Sequence, residues 1–408
     1  MLDALESKKY YIKTYGCQAN IADSSTISGV LEALDFEKVP VVPAVNEDTE
    51  LLETIPNTDL LIINTCSVRQ KSEDKVYGLG RILKKVKEKS TKSGKVPFVI
   101  MAGCVVGSVT GDRQRYEFEE LKKRTPWVNE YINPSQIMTI PNILLKNGIL
   151  SDWAVQKFDP EKVTAVQDNP TCAFVNISYG CDNFCTFCVV PYARGAEVSR
   201  PETDILKEVD HLAKSGFKEV TLCGQNVNSW GLNMTEKFEI RTGSEQKLPF
   251  ADLLRKVHAM AGIEKISFIS SNPFDFTQDL IEAFILPKIS NYLHVAVQSG
   301  NNEVLKRMNR RHTVEDFISL VERVKKAKPS LELGTDIIVG FPGETREQFM
   351  DTVKLFQSIK FNVAFISIYS PRKGTPAEKF YKDDVSRDEK KWRHEYLTQV
   401  WKASNAKA

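Results

Sequence analysis

From residue 173 onward the chain repeats one arrangement six times, a short apolar run followed by enough residues for a helix. The runs are Ala173–Ser178, Glu219–Cys223, Lys265–Ser270, Tyr292–Val297, Glu332–Val339 and Asn362–Tyr369, with helical patterns such as Pro201–Ser215 and Val314–Ala327 between them. Parallel strands need long crossovers, usually helical. Six βα units in succession therefore predict a barrel, complete or partial, rather than an open sheet.

A shorter series precedes it: Lys9–Thr14, Asp59–Asn64 and Val96–Met101, alternating with helical patterns at Ser24–Leu34 and Lys75–Lys89. This alternation predicts a parallel-sheet α/β domain. The stretch from 147 to 170 has no clean period and is expected to be a linker. The chain thus divides into an α/β domain over 8–146, the linker, a barrel domain over 171–384 and a helical tail over 385–408. In that tail Trp392, Tyr396 and Trp401 recur at helical spacing, which predicts packing onto the barrel.

The composition is that of an ordinary globular protein, with 42% hydrophobic and 26% charged residues and a net charge of only +2. Any RNA contact has to come from local patches. Arg81, Lys84, Lys85, Lys87 and Lys89 read as a solvated helix face, whereas Lys306, Arg307, Arg310 and Arg311 are expected at the barrel mouth, facing phosphates. The amino terminus has no signal-peptide core, and nothing approaches the roughly 18 uninterrupted apolar residues of a membrane span. A cytoplasmic protein without membrane attachment is expected. In that compartment eight cysteines point to metal or catalytic use rather than disulfides.

Three of them, Cys181, Cys185 and Cys188, form a C-x3-C-x2-C run just after the first barrel strand. Three thiolates can hold three irons of a cubane and leave the fourth open, where a fourth thiolate would close the site. Structural zinc is the alternative, although it usually wants four ligands in paired spacing. Incidental burial is the third reading. Cys17, Cys66 and Cys104 are dispersed, yet each follows one of the three amino-terminal strands, in YGC17QAN, NTC66SVR and AGC104VV. The carboxyl ends of parallel strands share one sheet edge, so these three either converge there or are small core residues.

Polar or glycine-rich loops follow the other barrel strands: Gly224-Gln225-Asn226, Ser271-Asn272-Pro273, Gln298-Ser299-Gly300, 340–344 and 370–376. Together they form a ring where a cofactor would bind. Arg194 and Arg200, close behind the cysteine run, are candidates to offset a ligand carboxylate.

The cysteine run resembles the signature of the radical S-adenosylmethionine superfamily, whose fold is a partial (βα)6 barrel. The resemblance implies a 4Fe-4S cluster on Cys181, Cys185 and Cys188, with S-adenosylmethionine on the open iron. It also implies a cofactor site that includes Gly224, Gln225, Asn226, Gln298, Ser299, Gly300, Arg194 and Arg200. TYGCQAN, NTCSVR, AGC, CDNFCTFCVVPYARGAEVSRP, CGQNVNSWG, VQSGNNEVLKRMNRR, DIIVGFPGET and YSPRKGTP narrow this to the methylthiotransferases. That family implies a second 4Fe-4S cluster on Cys17, Cys66 and Cys104, and leaves Cys172 and Cys223 as packing residues. The branch with TYGCQ-x-N and VVPYxRGxEVSRP acts on tRNA. It implies methylthiolation of carbon 2 of N6-isopentenyladenosine at position 37, with the anticodon loop as partner and an electron donor that the sequence does not identify. No catalytic side chain beyond the cluster ligands is implied. Another modified adenosine, a protein side chain, or a metal-stabilised RNA-binding module without catalysis are the alternatives. Family members usually continue into a small RNA-binding β-barrel, the TRAM domain, which the roughly thirty residues after YSPRKGTP leave no room for. Ala19 and the SNP at 271–273 also depart from the family pattern.

Overall fold

The computed structural model describes residues 8–68, 70–90, 96–169, 171–240 and 244–406, with the side chains of 89 and 90 excepted. The Lys89 side chain, the last linker residue and the final two residues of the tail lie outside the described residues. The chain forms two compact units, residues 1–168 with 189–196, and residues 169–188 with 197–408.

The first unit is built from β1 (Lys9–Tyr15), α1 (Gln18–Glu32), β2 (Glu37–Lys38), α2 (Glu47–Thr54), β3 (Leu60–Thr65), α3 (Gln70–Ser90), β4 (Phe98–Gly103), α4 (Cys104–Thr110), α5 (Phe118–Arg124), β5 (Glu130–Ile132), α6 (Ile140–Lys146) and α7 (Asp152–Lys157). The strands form one parallel sheet in the order β2-β1-β3-β4-β5. A parallel sheet is covered on both faces, so its central strands read as continuous apolar runs; every residue of β3 is buried. Tyr11, Leu61, Ile63, Val99 and Met101 pack against α2, α3 and α4 on one face. Tyr10, Leu60, Ile62 and Ile100 meet α1 and α6 on the other.

The expected linker is not free-standing. Ile149, Leu150, Phe158 and Val163 join the α1–α6 core, and Val166 donates its amide to the Ser25 carbonyl at 2.9 Å. Apolar residues at irregular spacing escape a periodicity test yet still pack. The unit is completed by α8 (Val190–Ala193), which lies against α4.

The second unit comprises β6 (Cys172–Asn176), β7 (Ser178–Tyr179), β8 (Val198–Ser199), α9 (Glu202–Lys214), β9 (Glu219–Cys223), α10 (Met234–Glu239), α11 (Pro249–Ala259), β10 (Lys265–Phe268), α12 (Gln278–Phe284), β11 (Tyr292–His294), α13 (Asn302–Arg307), α14 (Val314–Ala327), β12 (Glu332–Val339), α15 (Arg346–Ser358), β13 (Val363–Ile368), α16 (Pro376–Phe380) and α17 (Arg387–Ala406). Six parallel strands run β6-β9-β10 and β11-β12-β13, the two halves joined by parallel bridges at Ile266–Ile289 and Ser271–Val295. This is the expected partial (βα)6 barrel. Alternate residues such as Val175, Leu222, Val295 and Ile337 pack outward into one helical core.

The tail packs as its aromatic spacing predicts. Trp392 and Tyr396 of α17 meet Phe349 of α15 edge to face, and Trp401 donates its indole N–H to the Phe361 carbonyl at 2.8 Å. Among the described residues no helix is long and apolar enough to cross a membrane.

Candidate metal centres

In the first unit, strand register decides where the dispersed cysteines fall. Tyr15 pairs with Thr65 and Thr65 with Gly103, so the three central strands end level, about 4.8 Å apart. Cys66 and Cys104 come one residue beyond that line and Cys17 two. All three therefore belong to the carboxyl edge of the sheet. Cys17 caps α1, Cys66 donates its amide to the Tyr15 carbonyl at 2.8 Å, and Cys104 opens α4.

The turn into Cys104 requires glycine. Gly103 has φ +93° and ψ −162°, and a Cβ there would lie 2.4 Å from both the Asn64 Oδ1 and the Thr65 carbonyl oxygen. Gly16 is constrained differently: its Cβ would fall 2.3 Å from the Asn20 Oδ1.

Asn20, fully buried in the first turn of α1, ties the three strand ends together. Its Oδ1 accepts from the Cys17 amide at 3.3 Å and from the Cys17 thiol at 3.6 Å. Its Nδ2 donates to the Thr65 carbonyl at 3.2 Å and reaches the Cys104 sulfur at 3.9 Å. Asn64 in turn donates to the Asn20 carbonyl and the Ser24 hydroxyl, both at 2.8 Å. The YGCQAN and NTC strings contain both asparagines, but polar residues beside a cysteine give no periodic signal, so the sequence reading passed over them.

Arg194 lies here, which corrects its assignment to a carboxylate-binding site in the barrel. It is buried, donates Nε–H to the Cys104 sulfur at 3.3 Å, and forms an ion pair with Asp23 of α1 at 2.6 Å. Its position follows from Gly107 of α4. A Cβ at Gly107 would lie 1.9 Å from the Ala193 carbonyl oxygen, so only glycine lets α8 sit this close.

The neighbouring Cys66 thiol and the Arg194 guanidinium hold the Cys104 thiol below its ordinary range against the effect of burial. The Cys104 sulfur and burial push the Cys66 thiol up. A metal would deprotonate both. Among the described residues no three His, Cys, Asp or Glu side chains converge on a point that could ligate a single metal ion. A cubane makes a different demand, since each of its thiolates binds a separate iron. Three cysteine sulfurs, met by the Asn20 amide at Cys17 and Cys104, the Val68 backbone amide at Cys66 and the Arg194 guanidinium at Cys104, fit that donor set.

In the second unit, Cys181, Cys185 and Cys188 occupy the loop that leaves the first barrel strand. The loop is held by the segment after α13. Asn309 donates to the Asn183 and Phe184 carbonyls at 3.3 and 3.0 Å, Thr186 donates its amide to the Met308 carbonyl at 3.1 Å, and Arg310 donates to the Cys185 sulfur at 3.4 Å. Burial pushes the Cys181 thiol well above its ordinary range, with Cys188 adding to the effect.

The basic cluster expected to face RNA is instead mostly committed within the unit. Arg307 binds the Gly343 carbonyl and Gln348, Arg310 binds Cys185 and the Ala296 carbonyl, and Arg311 pairs with Asp275 at 2.9 Å while lying over Phe274. Of the four, Lys306 and Arg311 are exposed, and Arg307 and Arg310 are half-buried. Runs of like charge read as a surface patch in sequence because buried partners such as Cys185 and Asp275 are distant in the chain.

The expected cofactor loops do lie at the carboxyl ends of the strands, but their residues differ in what they offer. Asn226 is spent on structure: its Nδ2 donates to Asp275 at 3.2 Å and its Oδ1 accepts from Asn272 at 2.7 Å. Gly300 serves packing, since a Cβ there would lie 2.5 Å from the Thr352 Cα of α15, and Ser299 accepts the Asn301 amide. Arg200 binds the Asn176 carbonyl and pairs with Glu208 at 2.8 Å. Gly224 lies against Ser178, its Cβ position 2.4 Å from the hydroxyl oxygen, and Gln225 is half-buried. Gln298 and Ser270 hold positive φ, +73° and +68°, a strained conformation for side-chain-bearing residues that clusters at binding sites. The buried hydroxyls of Ser178, two residues past β6, and Ser271, three past β10, have no hydrogen-bond partner among the described residues. Buried orphans of this kind suit a polar ligand. The Cys172 sulfur meets Thr221 at 3.6 Å and the Ala173 carbonyl at 4.0 Å, and Cys223 is buried in β9, so neither lies in the cysteine loop.

Comparison with known proteins agrees with this division. Residues 175–356 match the radical SAM superfamily, and residues 9–130 match the uncharacterized protein family UPF0004. Among solved structures, the radical S-adenosylmethionine methyltransferase TsrM from Kitasatospora setae superposes with a TM-score of 0.61 at 13% identity, covering 91% of this chain and 75% of its own. The cobalamin-dependent S-adenosylmethionine radical enzyme OxsB gives 0.57 at 12% identity, covering 98% of this chain and 57% of its own. The tRNA-2-methylthio-N(6)-dimethylallyladenosine synthase of Clostridium botulinum (strain Loch Maree) is 38% identical over 98% of this chain and 82% of the relative. That of Clostridium tetani is 37% identical over 99% of this chain and 84% of the relative. Identity at this level over nearly the whole length places the chain in the tRNA-2-methylthio-N(6)-dimethylallyladenosine synthase family of radical SAM proteins.

Proposed function

We propose that this chain is a cytoplasmic tRNA methylthiotransferase that adds a methylthio group to carbon 2 of N6-dimethylallyladenosine at position 37, beside the anticodon. The observation that carries the reading is the convergence of Cys17, Cys66 and Cys104 on level ends of three adjacent strands, in a chain whose barrel begins with the C-x3-C-x2-C loop.

Carbon 2 of adenine carries an unactivated C–H bond, so acid–base groups alone do not open it. Two 4Fe-4S clusters and S-adenosylmethionine, when bound, would supply one-electron chemistry and the sulfur and methyl groups. The protein's residues do the rest. Cys181, Cys185 and Cys188 present three thiolates and withhold a fourth, which leaves a place for a chelating ligand. Arg310 fixes the Cys185 sulfur from behind, and the strained Gln298 and Ser270 turns with the unpartnered Ser178 and Ser271 hydroxyls offer polar contacts at the strand ends. Cys17, Cys66 and Cys104 would hold the second cluster, with Asn20 orienting Cys17 and Cys104. The base itself must leave its stack to be reached, as for other enzymes that act on bases.

Incubating anaerobically reconstituted protein with S-adenosylmethionine, a reductant and tRNA carrying N6-dimethylallyladenosine tests this. The expected product, by nucleoside mass spectrometry, is the 2-methylthio derivative. Cleavage of S-adenosylmethionine without that product refutes the substrate, and a protein that binds tRNA without any cleavage refutes the enzyme.

A further inference from the structure

Arg194 is an expensive residue to bury. Its side chain is 3% exposed, and a guanidinium in the interior persists only with partners that offset its desolvation. Asp23 supplies one, at 2.6 Å, and the Cys104 sulfur the other, at 3.3 Å from Nε. The location is built rather than incidental. α8 ends at Ala193, and Gly107 admits the Ala193 carbonyl where no side chain would fit. Asp23 stands one and a half turns beyond Cys17 on α1, so the same helix carries a cysteine and the anchor for the arginine.

We propose that Arg194, held by Asp23, is a positioning residue that sets the reduction potential of the amino-terminal cluster through its hydrogen bond to the Cys104 sulfur. The inference rests on the two-cluster reading above. Its physical basis is general: hydrogen bonds to ligand sulfurs and the net charge around a cluster are among the levers that set its potential. A positive charge on a ligand sulfur stabilises the reduced, more negative cluster. Removing that charge moves the potential down, and removing the Asp23 charge moves it up. An ion pair that merely fastened α8 to α1 would give no such opposition of sign.

The experiment uses the full chain with Cys181→Ala, Cys185→Ala and Cys188→Ala, so that one cluster remains, titrated anaerobically with dithionite and followed by electron paramagnetic resonance. In that background R194Q is expected to lower the reduced-to-oxidised ratio at a fixed potential about tenfold, a shift of about 59 mV for a one-electron couple. D23N is expected to shift it the other way, and R194K to fall between R194Q and the parent. Iron content separates the two ways of failing. About four irons per chain with R194Q, R194K and D23N all at the parent's potential overturns the inference alone. No iron in the parent background overturns the two-cluster reading and the inference with it. If R194Q does not take up iron, R194K and D23N carry the test, and shifts of the same sign in both overturn it.

Discussion

Gly103→Ala puts the geometry of the amino-terminal centre to a quantitative test. The backbone at Gly103, φ +93° and ψ −162°, lies in a region essentially reserved for glycine, and holding a side-chain-bearing residue there costs about 1–3 kcal/mol. The added methyl would lie 2.4 Å from the Asn64 Oδ1 and the Thr65 carbonyl, which are buried and hydrogen-bonded and cannot retreat freely. Overpacking of this kind costs about 1–3 kcal/mol more, so the substitution should destabilise the first unit by about 4 kcal/mol. Gly148→Ala is the control. Gly148 also has positive φ, +68°, but nothing lies within 4 Å of its Cβ position, so only the backbone cost of about 1.5 kcal/mol applies. Hydrogen exchange of peptides from β3 and β4 reads the stability of this unit directly. G103A should exchange roughly 60-fold faster than G148A, the difference of about 2.5 kcal/mol expressed as a rate. G103A should also lose the iron of the amino-terminal centre while G148A keeps it. Equal exchange in the two variants would refute the argument that the Cys104 turn is built on a glycine.

Three further outcomes follow from other residues. Asn20→Ala removes a buried amide that serves Cys17, Thr65 and Cys104, and should destabilise the first unit by about 1–3 kcal/mol, measured by the same exchange experiment. His312 is buried and stacked on Phe274, and burial, with Arg310 nearby, holds its imidazole well below the ordinary range. Its contribution to stability is complete above the unfolded value of 6.5 and is lost as pH falls below that toward the folded value. In urea unfolding from pH 6.5 downward, His312→Phe should therefore reduce the slope of stability against pH by up to about 1.4 kcal/mol per unit, and an unchanged slope would refute the assignment. Gly300→Ala drives a methyl to 2.5 Å from the Thr352 Cα and should destabilise the barrel unit by about 1–3 kcal/mol in thermal unfolding, whether or not S-adenosylmethionine is present.

Most of the architecture was legible because it is periodic. β9 and β12 fall on the residues predicted for them, and the three central strands of the first unit were found to within two residues, since buried parallel strands announce themselves as apolar runs. The two edge strands, Glu37–Lys38 and Glu130–Ile132, were missed because they are short and mixed in polarity. The cysteines stood out by residue type and by their position after strands. What surrounds them did not. Arg194 follows the barrel's cysteine run in sequence but meets Cys104 and Asp23 in space, a contact that spans 90 residues and rests on the absence of a Cβ at Gly107. Arg307, Arg310 and Arg311 read as a patch for phosphates because their acceptors, Gly343, Cys185 and Asp275, are remote in the chain. Ion pairs and close approaches between distant segments leave no local signature.

The central claim is that two separate sets of three cysteines each hold a cluster, and iron counting tests it most directly. The anaerobically reconstituted chain should bind about eight irons, the sum of two 4Fe-4S clusters. Replacing Cys17, Cys66 and Cys104 by alanine should leave about four, and replacing Cys181, Cys185 and Cys188 should leave about four as well. Zinc in place of iron, or about four irons in the unsubstituted chain, would contradict the account.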